Sequence, residues 1–245
     1  MAATKLLDIL KCVRPILFEN DDPAYKYSLG GTAFVVKFKG AYYVVTAKHA
    51  LLPKSFSVKQ TRIQYKPDGR ELLPIERVYR PEVTDAEDDD QFDLTILGVS
   101  GAAIDPVLFG EYKPYELLEM DKFTIFGANS HFLYRGFPDE FNVPNWDDAR
   151  ISQTSVSGNA AYKGPTGHAS THYLEFLNLD PLSNLSGLSG APVFQVVNEG
   201  EKYSIPAFAG MLLRGTRSSR TGRFLEHRRI IECLRSIHDG EEKSR

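Results

Sequence analysis

The 245-residue chain is poor in cysteine, with only Cys12 and Cys233, one near each end. That excludes the dense disulfide framework of small secreted domains and points to a reducing, cytoplasmic setting. Cys12 is a poor candidate nucleophile, because no glycine turn or histidine accompanies it. Long apolar runs are missing as well. Between Met1 and Phe18 the apolar residues are interrupted by Lys5, Asp8, Lys11, Arg14 and Pro15, which spoils a signal-peptide core. No later stretch is long enough to span a bilayer. Leu6, Leu7, Ile9 and Leu10 are read as a short amphipathic helix packed on the protein rather than as an anchor. Charge of one sign is lacking too: the formal net charge is −3, which leaves no basic footprint for nucleic acid. Neither a membrane nor a nucleic acid is therefore expected as a partner.

What is present is mostly β-signal. Candidate strands are 13–19, 31–38, 41–47, 61–65, 73–79, 92–98, 121–127, 149–156, 171–178, 191–197 and 204–213, with turn signals such as Pro67-Asp68-Gly69 and Asn198-Glu199-Gly200 between them. Residues 99–120 carry Pro106, Gly110 and Pro114 and read as a crossover. From Phe224 to Ile237, Phe224, Leu225, Ile230, Ile231, Leu234 and Ile237 recur at helical spacing, so a C-terminal helix is expected there. The length accommodates two small β-barrels sharing one cleft.

Three segments carry chemistry. In Gly187-Leu188-Ser189-Gly190-Ala191-Pro192 a serine sits in a glycine turn that runs into an apolar strand. Such a turn lets backbone N–H groups converge on a substrate carbonyl beside a hydroxyl nucleophile. Upstream, the hairpin formed by 31–38 and 42–45 ends at Thr46-Ala47-Lys48-His49. In Phe92-Asp93-Leu94-Thr95 a single acid stands at the mouth of another apolar strand, where imidazole is a natural hydrogen-bond partner. The chain order is His49, Asp93, Ser189.

That order, with Gly31-Thr32-Ala33-Phe34, Thr46-Ala47-Lys48-His49, Asp93-Leu94-Thr95-Ile96-Leu97 and the serine turn, resembles the trypsin-like serine peptidases of the chymotrypsin clan, in the style of their short bacterial members. The matching pieces span positions 30 to 194. The resemblance implies an all-β, chymotrypsin-like double β-barrel with a C-terminal helix. A first barrel would cover 13–100, a crossover 101–120, a second barrel 121–222 and the helix 223–238. It also implies the roles. Ser189 attacks the scissile carbonyl, His49 is general base and then acid, and Asp93 orients the imidazole. The N–H groups of Gly187 and Ser189 bind the oxyanion. No cofactor and no metal is implied. The partners are a protein or peptide substrate and a possible regulatory protein. The other readings are a silent pseudopeptidase that binds peptides in the same cleft, or an esterase on the same scaffold.

Two departures bear on that reading. Leu188 occupies the place of the acid that pairs with a freed N-terminus in activated zymogens, so activation by that salt bridge is not expected. Ser183 stands where trypsin has its pocket acid, which removes the charge partner for Lys or Arg. Leu213, Arg214 and Gly215 are the remaining candidates for substrate binding, on the strand that would pair with substrate backbone. Arg214, Arg217, Arg220, Arg223, Arg228 and Arg229 form a basic run, read either as a solvated face or as a source of preference for acidic residues. His168 and His172 sit in a loop entering a strand rather than on a metal-binding helix. Asp85, Glu87, Asp88, Asp89 and Asp90 lack the glycine and terminal glutamate of a calcium loop and are expected to be solvated. Trp146 fits core or rim equally.

Overall fold

A computed structural model of the chain describes residues 8–22, 26–51, 58–81, 90–118, 126–145, 150–196, 198–199, 202–203 and 207–242. Leu6, Leu7, Asp85 to Asp89, Trp146 and most of the expected strand 121–127 lie outside them. The first half builds β1 (Val13–Glu19), β2 (Tyr27–Phe38), β3 (Ala41–Thr46), β4 (Thr61–Arg62), β5 (Ile75–Tyr79), β6 (Thr95–Val99) and β7 (Tyr115–Leu117). They form one seven-stranded sheet of order β4-β1-β2-β3-β6-β5, with β7 parallel to the end of β2. The expected crossover thus contributes a strand to the first sheet.

The second half contains β8 (His131–Gly136), the short ladder of β9 (Pro144–Asn145) with β10 (Arg150–Ile151), β11 (Val156–Pro165), β12 (Thr171–Phe176) and β13 (Pro192–Val196). It continues with the ladder of β14 (Asn198–Glu199) with β15 (Lys202–Tyr203), then β16 (Ala207–Thr216) and β17 (Thr221–Glu226). Six of these close into a barrel in the order β11-β12-β17-β16-β13-β8. The helix α1 follows at His227–Glu242. Among the described residues the molecule is therefore mostly β, with one closed barrel, one open sheet, two short ladders and a single long helix. Among the described residues no helix is long and apolar enough to cross a membrane.

The strand alternation explains how one chain feeds three apolar clusters. Along β2, Ala33 and Val35 face a core inside the first sheet, while Phe34, Val36 and Phe38 face the opposite side. Val44 in β3 and Leu97 in β6 join the former core; Tyr43, Val45 and Ile96 join the latter. Because successive side chains point to opposite faces and both faces are covered, these strands are apolar almost throughout. The shared cluster lies between the two halves. Phe194, Phe208, Met211 and Leu213 reach it from the barrel, and Ile230, Ile231 and Leu234 reach it from α1. The barrel interior holds Phe132, Leu174, Phe176, Val193, Leu212 and Phe224.

The C-terminal element needs a correction. Residues 221–226 are a strand, and the helix begins only at His227. Phe224 packs inside the barrel while Leu225 packs in the shared cluster. Both neighbours are buried, on opposite faces, and a short apolar pair of that kind fits either period.

One buried cation ties the first sheet to its loops. Arg14 on β1 is fully buried. Its Nε donates to the carbonyls of Gln64 (3.2 Å) and Tyr65 (2.8 Å), and its Nη1 to Lys11 (2.6 Å) and Val13 (2.8 Å). Nη2 donates to the carbonyl of Tyr112. Burial pulls the guanidinium down to about 10, which still leaves it charged at neutral pH. Removing it strands several carbonyls that water cannot reach. Arg14→Leu is expected to cost about 3 kcal/mol or more in chemical denaturation at pH 7. A loss below about 1 kcal/mol would show that the carbonyls find other donors.

Candidate active site

Pairing of β3 with β6 brings the first two site residues together. Thr46 lies opposite Thr95, so the residues just after β3 and just before β6 share one end of the sheet. His49 stands in the 3-10 turn Lys48–Leu51, and Asp93 precedes β6. His49 N–H donates to Asp93 Oδ1 (2.9 Å), and His49 Nδ1 lies 2.5 Å from Asp93 Oδ2. The carboxylate is buried and the imidazole half-exposed. A carboxylate accepting at Nδ1 places the ring proton there and leaves the Nε2 lone pair toward the open side.

Behind this pair runs a charge chain that the sequence reading missed in part. Asp90 is buried, not solvated; its Oδ1 lies 2.5 Å from Arg214 Nη2 and its Oδ2 2.7 Å from Arg223 Nη1. Arg214 Nη2 is also 3.9 Å from Asp93 Oδ2. A β-bulge between Leu212 and Arg214 re-aims the strand here. Leu212 turns into the barrel, Leu213 is buried in the shared cluster, and Arg214 reaches across to the acids. The Leu213 side chain is thus core, and the Arg214 charge is already matched. The rest of the basic run is held by carbonyls or carboxylates. Arg217 and Arg220 donate to the carbonyls of Leu182, Phe176 and Leu177, while Arg228 pairs with Glu226 and Arg229 with Glu232.

The serine turn is pinned to the first sheet through Thr32. Its N–H donates to Ser189 O (3.1 Å), its Oγ1 donates to Gly187 O (2.6 Å) and accepts from Phe137 N–H (2.8 Å), and its carbonyl accepts from Thr46 Oγ1 (2.7 Å). Gly187 and Gly190 have φ of 86° and 89°, in the region that favours glycine. A Cβ at Gly190 would overlap Thr32 O and come within 2.5 Å of Thr46 Oγ1. Leu188 is buried in the barrel core, and Asp139 N–H donates to Ser186 O (3.0 Å). Gly31 separates the two halves of the site: a Cβ there would meet Ala50 Cβ, next to His49, at 3.1 Å and Ser189 O at 3.7 Å. Among the described residues no hydrogen bond joins Ser189 Oγ to His49 Nε2. Nor does a backbone carbonyl among them take the N–H of Gly187 or Ser189.

Asp139 is a further group at the turn, without any sequence signal. Its Oδ1 is 2.6 Å from the Cβ position of Gly187. Burial raises its pKa above the usual carboxylate range, and a hydrogen bond from Gly31 N–H partly opposes the shift. Ser183 is exposed, with its N–H 2.8 Å from Glu140 Oε1 and its hydroxyl on Oε2. Gly215 packs against Leu185 and Phe176. His168 lies in the turn before β12, and His172 Nδ1 is 3.1 Å from Tyr162 Oη. Cys12 and Cys233 are free thiols, and burial pushes Cys12 up to about 12. Among the described residues no group of three His, Cys, Asp or Glu is placed to hold a metal ion. No protein-family model matches the chain, and no curated protein matches it.

Two outcomes are expected. Thr32→Val keeps the shape but leaves Gly187 O and Phe137 N–H without their partner, so it should cost about 2 kcal/mol of stability. Gly190→Ala should disrupt the turn far more, because its Cβ has no room; equal thermal unfolding of the two variants would contradict this. For Asp139 the sign follows from its raised pKa. The protonated form is favoured in the fold, so its contribution is present below the ordinary carboxylate range and lost as pH rises through the raised value. Asp139→Asn should therefore gain thermal stability relative to wild type between pH 4 and pH 7. A constant difference would show that the carboxyl is not strained by burial.

Proposed function

We propose that the chain is a serine endopeptidase with a His49-Asp93-Ser189 triad, related in mechanism and double-barrel plan to the trypsin-like peptidases. The observation that carries this reading is the His49–Asp93 pair, doubly hydrogen-bonded, with Gly31 between the His49 turn and a glycine turn whose two candidate oxyanion donors have no backbone acceptor among the described residues. In the reaction, Ser189 Oγ forms a bond to the scissile carbonyl carbon while its proton passes to His49 Nε2. The developing oxyanion is held by the N–H groups of Gly187 and Ser189. The C–N bond then breaks, and His49 returns the proton to the leaving amine, which leaves an acyl-enzyme. Water repeats the sequence, releasing the acid and restoring Ser189. Asp93 keeps the Nδ1–H tautomer and stabilises the imidazolium.

The turn supports a site that needs no ionic trigger. Where an activated zymogen uses an acid, Leu188 is anchored in the barrel core, and Thr32 and Asp139 fix the flanking carbonyls. In hydrogen-bonded triads of free enzymes the nucleophile contact is often long and tightens with substrate, so an unbonded Ser189 Oγ is compatible with activity. Selectivity, or a regulatory protein, is then what limits turnover.

A fluorophosphonate probe tests the reading. Wild type should be labelled on Ser189 and Ser189→Ala not at all; His49→Ala should react at least about 10³-fold more slowly, and Asp93→Asn should lower peptide kcat by about 10⁴. Labelling with ester but no peptide hydrolysis would favour an esterase. Absence of labelling would sink the peptidase reading in favour of peptide binding alone.

A further inference from the structure

We infer that the site accepts only a small residue, glycine or alanine, on the acyl side of the cut; this rests on the peptidase reading above. The direction of that side chain follows from the reaction. With the carbonyl carbon at Ser189 Oγ and its oxygen at the Gly187 and Ser189 amides, the leaving nitrogen must face His49 to receive its proton. The Cα of the preceding residue therefore points away from His49, toward the segment 183–187 and β16. β16 is fixed beside the serine turn, since Gly190 N–H donates to Leu212 O and Leu212 N–H to Ala191 O, both at 2.8 Å, and Leu185 of the first wall packs on Gly215 of β16.

Farther along β16, Gly215 lies directly opposite Gly222 of β17. Paired glycines on adjacent strands leave a hollow that a ligand side chain could enter. In this chain the hollow is filled from inside. A Cβ on Gly215 would meet Leu185 Cδ1 at 2.8 Å and Phe176 Cε2 at 2.9 Å. One on Gly222 would meet Phe176 Cζ at 2.8 Å and Leu174 Cδ1 at 3.0 Å. Phe176 is fully buried and packs on Tyr134, with ring centroids 5.3 Å apart, so it has no room to swing aside. Leu185 covers it from the wall that precedes the serine. That wall is held at its start by Arg217 on Leu182 O and by Glu140 on Ser183 and Asn184, and at its end by Thr32 Oγ1 on Gly187 O. A long, aromatic or charged side chain would have to displace the Leu185 methyl groups; a methyl or a hydrogen need not.

The test uses peptidyl diphenyl phosphonates that differ only in the reacting residue, as analogues of Gly, Ala, Val, Phe, Glu and Arg, with modification of Ser189 followed by intact mass. The Ala analogue should react about tenfold or more faster than the Phe, Glu and Arg analogues. Leu185→Ala, half-exposed in the wild type and folded by circular dichroism, should reduce the Ala-over-Val ratio about fivefold or more. If the variant does not fold, the wild-type ranking alone decides. Modification of Ser189 at equal or greater rate by the Phe, Glu or Arg analogue would overturn the size rule and leave the peptidase reading standing. Failure of every phosphonate and of the plain fluorophosphonate would overturn both.

Discussion

The candidate site depends on one residue that performs no chemistry. Thr32 uses its N–H, its carbonyl and both capacities of its hydroxyl to hold Ser189, Gly187, Phe137 and Thr46 around a single point. The bonds to Phe137 and Thr46 are buried and the one to Gly187 partly so, so an unmade one would cost desolvation of a polar group as well as the bond. The close approach of Thr32 O to Gly190 is possible only because Gly190 lacks a Cβ. Sequence chemistry at two distant positions, a threonine on β2 and a glycine after β12, thereby sets the distance between the hydroxyl on the second half and the imidazole on the first.

A second constraint is electrostatic. Asp90 and Asp93 are both buried within three positions of each other, and like charges removed from water repel more strongly than they would in solvent. Arg214 stands between them and Arg223 meets the outer acid. Both cations come from the β16–β17 hairpin of the barrel. The carboxylate paired with His49 therefore draws part of its charge compensation from the barrel. Assembly of the imidazole pair and closure of the two halves are linked by charge, independently of the apolar cluster between them.

The parts legible in the sequence were those written in local patterns. The alternating runs of β2, β3 and β6, the acid before β6 and the glycine turn each carry a short-range signal, and topology does the rest by putting Thr46 opposite Thr95. What escaped depends on partners far along the chain. The strand Val156–Pro165 carries Gly158, Asn159 and two alanines, a weak β-pattern; Gly158 is needed because the Tyr134 ring fills the space of its Cβ. Asp90 looked like the end of a solvated acidic run because nothing near it in sequence announces Arg214 or Arg223. Phe224 and Leu225 fitted a helix because two adjacent buried residues have no period. Asp139, which lies against Gly187, left no mark at all.

Two leucines at the serine turn serve one physical end. Leu188 is buried in the barrel core, and Leu185 on the same segment packs with Phe176 against Gly215. An ion pair can be made or broken by cleavage or pH, whereas a buried leucine is held by removal from water, about 2 kcal/mol per side chain, and is insensitive to either. A turn fixed in this way is formed whenever the protein is folded. On the proposed reading, restraint then has to be steric, and the same apolar packing supplies it. Core residues that hold the nucleophile permanently in place also occupy the volume that a broad-specificity enzyme would leave open to substrate.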